Sequence, residues 1–300
     1  MTQTDVLIVG AGPTGLVLAL WLDAQGARVR IIDKSEGPGT TSRALAVHAR
    51  TLELYRQLGL ADAVVAAGNK AEGIEIWTLG KRRAHLNFSD FGADITPYPY
   101  VLIYPQDLHE SFLVERLRMR GIVVERRTEL LDFLDDGTGV EAQLQLPDGS
   151  KAECRARYLA GCDGARSTVR KNLGASFEGG TYEQLFYVAD VEVDAGTHTI
   201  SGEVTISFEG PDFVLIMPYG EPGKLRFVGT VRENRVGSAE TLAFDDVGQE
   251  AVRALGLQVR AVNWFSTIAS TTALPTASAM EMYFCLAMPP MCTVRRAGRG

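Results

Sequence analysis

The 300 residues suffice for one large or two modest domains, and a hydrophobic share of 46% with a charged share of 22% is that of an ordinary globular protein. A formal net charge of −7 argues against nucleic acid or an anionic membrane surface as partner. Only Cys154 and Cys162 precede the last stretch, at a spacing that fits no zinc pattern, and no apolar run suits an integral membrane segment, so a reducing cytoplasm is the default setting.

Residues 6–9 are a short apolar run that leads into Gly10-Ala11-Gly12-Pro13-Thr14-Gly15. Residues 16–25 read as a helix closed by Gly26, and residues 28–32 as a second strand ending at Asp33-Lys34, which makes a βαβ opening. Residues 51–58 carry apolar side chains at helical spacing and stop at Gly59. Residues 73–79 alternate like a strand, with 84–88 as a pairing partner. After the apolar run 100–104, an amphipathic helix covers 106–120. Strands follow at 121–126, 141–146 and 152–159, with a Pro147-Asp148-Gly149 turn between the last two. From residue 185 the pattern turns to consecutive strands at 188–193, 203–208, 213–217 and 225–231, with Glu221-Pro222-Gly223 as a hairpin turn. The fold class this predicts is α/β: a Rossmann-like nucleotide-binding domain with an interleaved antiparallel-sheet domain.

The glycine loop carries the first chemical signal. Gly10 permits a tight turn, Gly12 lets backbone approach a pyrophosphate, and Gly15 lets helix and sheet pack closely. The helix start, with Pro13 and Thr14, offers N–H groups to phosphate. Asp33 ends the second strand about 20 residues on, where its carboxylate can accept a ribose hydroxyl. A glycine turn followed by a capping aspartate would give the same string without a ligand. The four histidines show no metal spacing, and Asp135-Asp136 before Gly137 reads as a turn.

The second signal is Ala160-Gly161-Cys162-Asp163-Gly164-Ala165-Arg166-Ser167, which resembles the DG motif of the class A FAD-dependent aromatic monooxygenases, or flavoprotein hydroxylases, and within them the phenol hydroxylase-like branch. The resemblance implies that Asp163, Gly164 and Arg166 lie near the flavin pyrophosphate and the nicotinamide cleft, and that Lys34 follows Asp33 in the cofactor site. Ser42-Arg43-Ala44 resembles the stretch whose arginine reaches the cofactor, although a solvated Arg43 explains it as well. Gln106 resembles a flavin-contacting glutamine at a helix start, with a plain helix-start polar residue as the alternative. Met217-Pro218-Tyr219-Gly220 resembles a strand end whose proline faces the flavin, and an edge-strand proline reads equally well.

In that family NAD(P)H reduces FAD, molecular oxygen is activated on the reduced flavin, and one oxygen atom passes to a small aromatic or phenolic substrate. The implied division is an FAD domain at 1–72 and 99–182, and a substrate sheet at 73–98 and 183–267. A non-hydroxylating FAD oxidoreductase and a non-functional gene remnant are the alternative readings. Substrate, oligomeric state and the choice between NADH and NADPH are left open.

Residues 268–300 form a tail with no usable hydrophobic period. Regrouping their codons by one nucleotide, with ordinary synonymous choices, permits LSGDAAHVHSPAGGQG from Phe284 onward. That string is the second flavin motif such a family carries. The frame is therefore expected to be lost near Thr267, leaving an impaired, truncated chain whose last part is extended and poorly packed.

Overall fold

The computed structural model describes residues 2–39, 44–194, 202–209, 212–231, 242–275, 279–280, 283–285 and 293–295. They divide into two compact units: Met1–Ser42, Gln106–Gly180 and Thr272–Met291 in the first, Arg43–Pro105, Thr181–Thr271 and Cys292–Gly300 in the second.

The first unit is built on β1 (Thr2–Val9), α1 (Pro13–Ala24) and β2 (Val29–Ile32). Four consecutive apolar residues in β1, Val6 to Val9, are all buried, as a strand covered on both faces requires. β1 pairs in parallel with β2 on one side and with Lys151–Gly161 on the other, while Val124–Glu125 pairs with β2 beyond it. α1 starts on Pro13, whose missing N–H costs nothing at a first turn, and buries Leu16, Ala19 and Leu20. Its end is a Schellman motif: Gly26, at φ +80°, donates to Asp23 O, and Ala27 donates to Leu22 O. Glu129–Asp135, Val140–Gln145 and Lys151–Gly161 form an antiparallel meander. Alternate residues of Val140–Gln145 are buried, and they join Leu7, Val9 and Ile32 in one core.

The second unit holds a mixed sheet in which Gly73–Thr78 pairs in parallel with Val204–Glu209, and Asp212–Pro218, Lys224–Thr230 and Phe177–Val193 follow antiparallel. Tyr187, Ala189, Val191, Ile216 and Phe227 face its main core. A small sheet zips Val101–Ile103 between Ala46–Val47 and Asn69–Ala71. Leu45, Ala71 and Ile103 of these segments share one core with Val204 and Met217, which packs 44–72 and 99–105 with the second unit, whereas the division by role drawn from sequence puts them with the first.

The β turns at Pro147-Asp148-Gly149 and Glu221-Pro222-Gly223 form as expected, with Gly149 and Gly223 at φ +82° and +90°. One expected strand shifts. The strand expected at 121–126 shrinks to Val124–Glu125, because Gly121 at φ +80° closes the preceding helix. Glu129–Asp135 is a strand, and Ala61–Ala67 a helix, that the sequence pattern does not mark. In the tail, every described residue is extended, as anticipated. Its strands nevertheless find partners: Tyr283–Cys285 runs parallel to Lys151–Gly161, and Thr293–Arg295 antiparallel to residues 267–269, which counts against a tail devoid of packing. Among the described residues no helix is long and apolar enough to cross a membrane, and no cluster of metal-ligating side chains occurs.

Candidate cofactor site

Three parallel strands of the first unit end in one row, and each delivers part of the glycine–aspartate constellation. β1 leads into Gly10, β2 into Asp33, and Lys151–Gly161 into Cys162-Asp163. Backbone bonds knit the ends together: Gly10 N–H donates to Ile32 O (2.8 Å) and Cys162 N–H to Val9 O (2.7 Å).

The three glycines are needed for different reasons. Gly10 sits at φ +105°, and a Cβ there would lie 2.3 Å from Cys162 O. A Cβ on Gly15 would lie 2.0 Å from Gly10 O. Both are demanded by the fold. Gly12 is different: its backbone is extended at φ −76° and ψ −178°, and a Cβ would meet nothing within 4 Å. Neither conformation nor internal packing asks for glycine there. It is also the N-cap of α1 and supplies no side-chain cap, and the first helical bond runs from Leu16 N–H to Gly12 O. An uncapped helix start facing open space is suited to an anionic group.

Asp33 is already engaged. Its Oδ2 accepts from Ala11 N–H (2.6 Å), and its Oδ1 accepts from both the N–H (2.7 Å) and the Oγ (2.5 Å) of Ser35. The Arg126 guanidinium stands 3.9 Å away. Lys34 is exposed. Asp163 has two unlike oxygens: Oδ2 accepts from Thr168 and Val169 N–H and so caps the short helix Thr168–Asn172, while Oδ1 is buried with no hydrogen-bond partner among the described residues. Gly164, at φ +74°, also borders open space, and Arg166 is exposed.

Gln106 opens the helix Gln106–Met119 and is half-buried. Its Nε2 donates to Oε1 of Glu110 (2.7 Å), and Oε2 of Glu110 accepts from Gly39 N–H (3.2 Å). The buried Glu110 thus ties the helix start to the loop after β2. Arg43 lies outside the described residues, and Pro218 ends a strand of the second unit. So the first unit carries Gly10, Gly12, Pro13, Thr14, Gly15, Asp33, Lys34, Gln106, Asp163, Gly164 and Arg166. Glu110 and Arg126 brace the loop after β2 beside these residues, and the sequence reading did not mark them. An acid four residues after Gln106 was the available signal for Glu110, and Arg126 shows none.

An orphaned acceptor on Asp163, a glycine with no internal purpose and an uncapped helix start together fit a bound dinucleotide, and the class defined is a Rossmann-like nucleotide-binding flavoprotein fold. The chain belongs to the FAD binding domain family, whose model matches residues 3–274. It is 40% identical over 238 residues to 6-methylpretetramide 4-monooxygenase of Streptomyces rimosus, covering 79% of this chain and 42% of that protein. It is 33% identical over 277 residues to rifampicin monooxygenase of Rhodococcus hoagii, covering 91% and 55%. Among solved structures, aklavinone-11 hydroxylase in complex with FAD and aklavinone superposes with a TM-score of 0.79 at 25% identity, covering 95% of this chain and 57% of that one. p-Nitrophenol 4-monooxygenase from Pseudomonas putida shares the fold, with a TM-score of 0.80 at 22% identity, covering 95% and 72%. The chain spans about two fifths to just over half of the length of these first two relatives.

Proposed function

We propose that this chain supplies the FAD site and substrate sheet of an NAD(P)H-using aromatic monooxygenase, acting in the cytoplasm on a phenolic or polycyclic phenol substrate. The balance is one aromatic C–H, O2, NAD(P)H and a proton giving the phenol, water and NAD(P)+. Bound FAD would supply the hydride acceptance and oxygen activation. The protein's part is binding and orientation. Gly10 turns the chain; Gly12, Pro13, Thr14 and Gly15 present the N-terminus of α1 to the pyrophosphate; Asp33 accepts from the ribose. Asp163 offers its unused Oδ1, with Gly164 giving close backbone approach. Lys34, Arg43 and Arg166 supply positive charge, and Gln106 a fixed amide beside the flavin.

The observation that carries this reading is Gly12, a glycine that the fold itself does not need. The relatives are named for 6-methylpretetramide and rifampicin, which supports an aromatic substrate class. The role-based division at 1–72 and 99–182 against 73–98 and 183–267 belongs to the same proposal. The test is purification of this chain, followed by measurement of bound FAD and of NAD(P)H oxidation across a panel of phenols. Absence of a flavin spectrum after reconstitution sinks it.

A second reading concerns the tail. We infer that the frame changes near Thr267, because the family match stops at residue 274 and synonymous codons for the tail permit a regrouping that spells a Gly-Asp motif. The partnered strands at Tyr283–Cys285 and Thr293–Arg295 weigh against it. On this reading the chain binds FAD poorly, is unstable or does not hydroxylate. The nucleotide sequence from codon 260 decides: codons that cannot be regrouped into Gly-Asp end the idea.

A further inference from the structure

Beyond Asp33 the row of strand ends continues outward to Val124–Glu125, which pairs with β2 on the side away from β1. The chain leaving this strand is laced to the loop after β2. Asp33 N–H donates to Glu125 O, Thr128 N–H to Asp33 O, and Arg127 N–H to Ser35 O. Arg126 sits within this platform. Its Nη1 donates to Ser35 Oγ (3.2 Å) and Gly37 O (3.4 Å), and its side chain is only 17% exposed. Its Nη2 is buried and has no hydrogen-bond partner among the described residues.

A guanidinium has donors only, and leaving a charged N–H buried and unpaired is costly, so the geometry asks for an acceptor. The order of the strand ends says which one. If phosphate lies at the α1 start after β1 and ribose at Asp33 after β2, the group reached next, over Val124–Glu125, is the base. We propose that Arg126 is an adenosine-binding residue: Nη2 donates to an acceptor of the adenosine half of the cofactor, a ring nitrogen or a ribose oxygen, while Nη1 keeps the loop of residues 33–37 in place. This rests on the FAD reading given above.

The test uses the full chain, with FAD, ADP and FMN as separate probes for wild type, Arg126→Met and Arg126→Lys. Arg126→Met weakens FAD and ADP by the same factor, tenfold or more, and leaves FMN unchanged. Arg126→Lys, which keeps the charge and stem but lacks the fork, weakens ADP by a smaller factor, with an unfolding midpoint between those of wild type and Arg126→Met. ADP affinity within twofold of wild type in either variant overturns the assignment, and so does an equal loss for FMN. Should Arg126→Met fail to fold, the lysine variant alone decides. A wild-type chain that binds ADP but not FAD removes the FAD reading and leaves the ADP comparison to judge Arg126. Binding of neither overturns both.

Discussion

Ala11 and Asp33 are joined across the mouth of the glycine loop: the Ala11 N–H donates to Asp33 Oδ2 over 2.6 Å, while Ser35 fills Oδ1 with two further donors. A carboxylate has about four acceptor positions, so one remains for a ribose hydroxyl without breaking the loop. Asp33 therefore holds the loop and, on the proposed reading, also serves the ribose. Asp33→Ala is expected to cost about 1.5–3 kcal/mol of stability, the usual loss for hydrogen bonds to a charged group, and to weaken FAD by about tenfold or more, the equivalent of 1.4 kcal/mol. Denaturant unfolding and flavin titration read the two effects separately. An unchanged FAD affinity would leave Asp33 a purely structural residue.

The glycines separate fold from function more sharply. Gly10→Ala must relieve a 2.3 Å contact with the Cys162 carbonyl at a left-handed backbone, and Gly15→Ala a 2.0 Å contact with Gly10 O. Each is expected to lose roughly 3 kcal/mol or more, in the range of strained overpacking. Gly12→Ala meets nothing within 4 Å and should leave the unfolding midpoint within about 2 °C, since surface changes without strain stay near ±0.5 kcal/mol. Its FAD affinity should nevertheless drop by about tenfold or more, because the methyl occupies the space the pyrophosphate needs. A Gly12→Ala chain that binds FAD normally would contradict the proposed site.

The β1–α1–β2 opening is legible in the sequence because each of its constraints selects one residue type: glycine for φ +105°, proline for the first helical position, an acid at the strand end. Asp163 is legible only through its neighbours, since an aspartate capping Thr168–Asn172 has the same local spelling as one awaiting a ligand. The unused Oδ1 is what favours the second in the proposed site, and it comes from packing that no local spelling shows. Glu110 and Arg126 are invisible for a related reason. Charged residues on a helix or after a strand are normally solvated, and only the long-range partners, Gly39 for one and the loop at Ser35 for the other, reveal burial.

In the second unit Asp190 and Arg226 form a buried ion pair, with Nε to Oδ1 and Nη2 to Oδ2 both at 2.7 Å. They alternate along their strands with Ala189, Val191, Leu225 and Phe227, which face the main core, so the pair lies on the other sheet face. Arg226 also stands over the rings of Tyr219 (5.8 Å) and Trp264 (5.6 Å). Asp190→Ala or Arg226→Met alone leaves a buried charge without its partner and should cost about 3–5 kcal/mol. The double variant Asp190→Leu/Arg226→Met should lose clearly less than the sum of Asp190→Leu and Arg226→Met. Additive losses in a double-mutant cycle would mean that the two charges do not depend on each other.

His109 lies buried on the helix that begins at Gln106, and burial lowers its pKa to about 4 from an ordinary 6.5. The unfolded chain therefore takes up a proton first as pH falls. Stability from this group is full above about pH 6.5, declines through the interval down to about pH 4, and is lost below it. At about 1.36 kcal/mol per unit the total is on the order of 3 kcal/mol. His109→Gln removes the titration while keeping a polar side chain on the helix. Unfolding free energies measured at pH 7, 6 and 5 should fall more steeply for wild type than for this variant. The comparison of slopes isolates His109 from the carboxylates of the chain, because both proteins share those. Equal slopes would mean that His109 takes up its proton as readily in the folded helix as in the unfolded chain, and that burial does not lower its pKa.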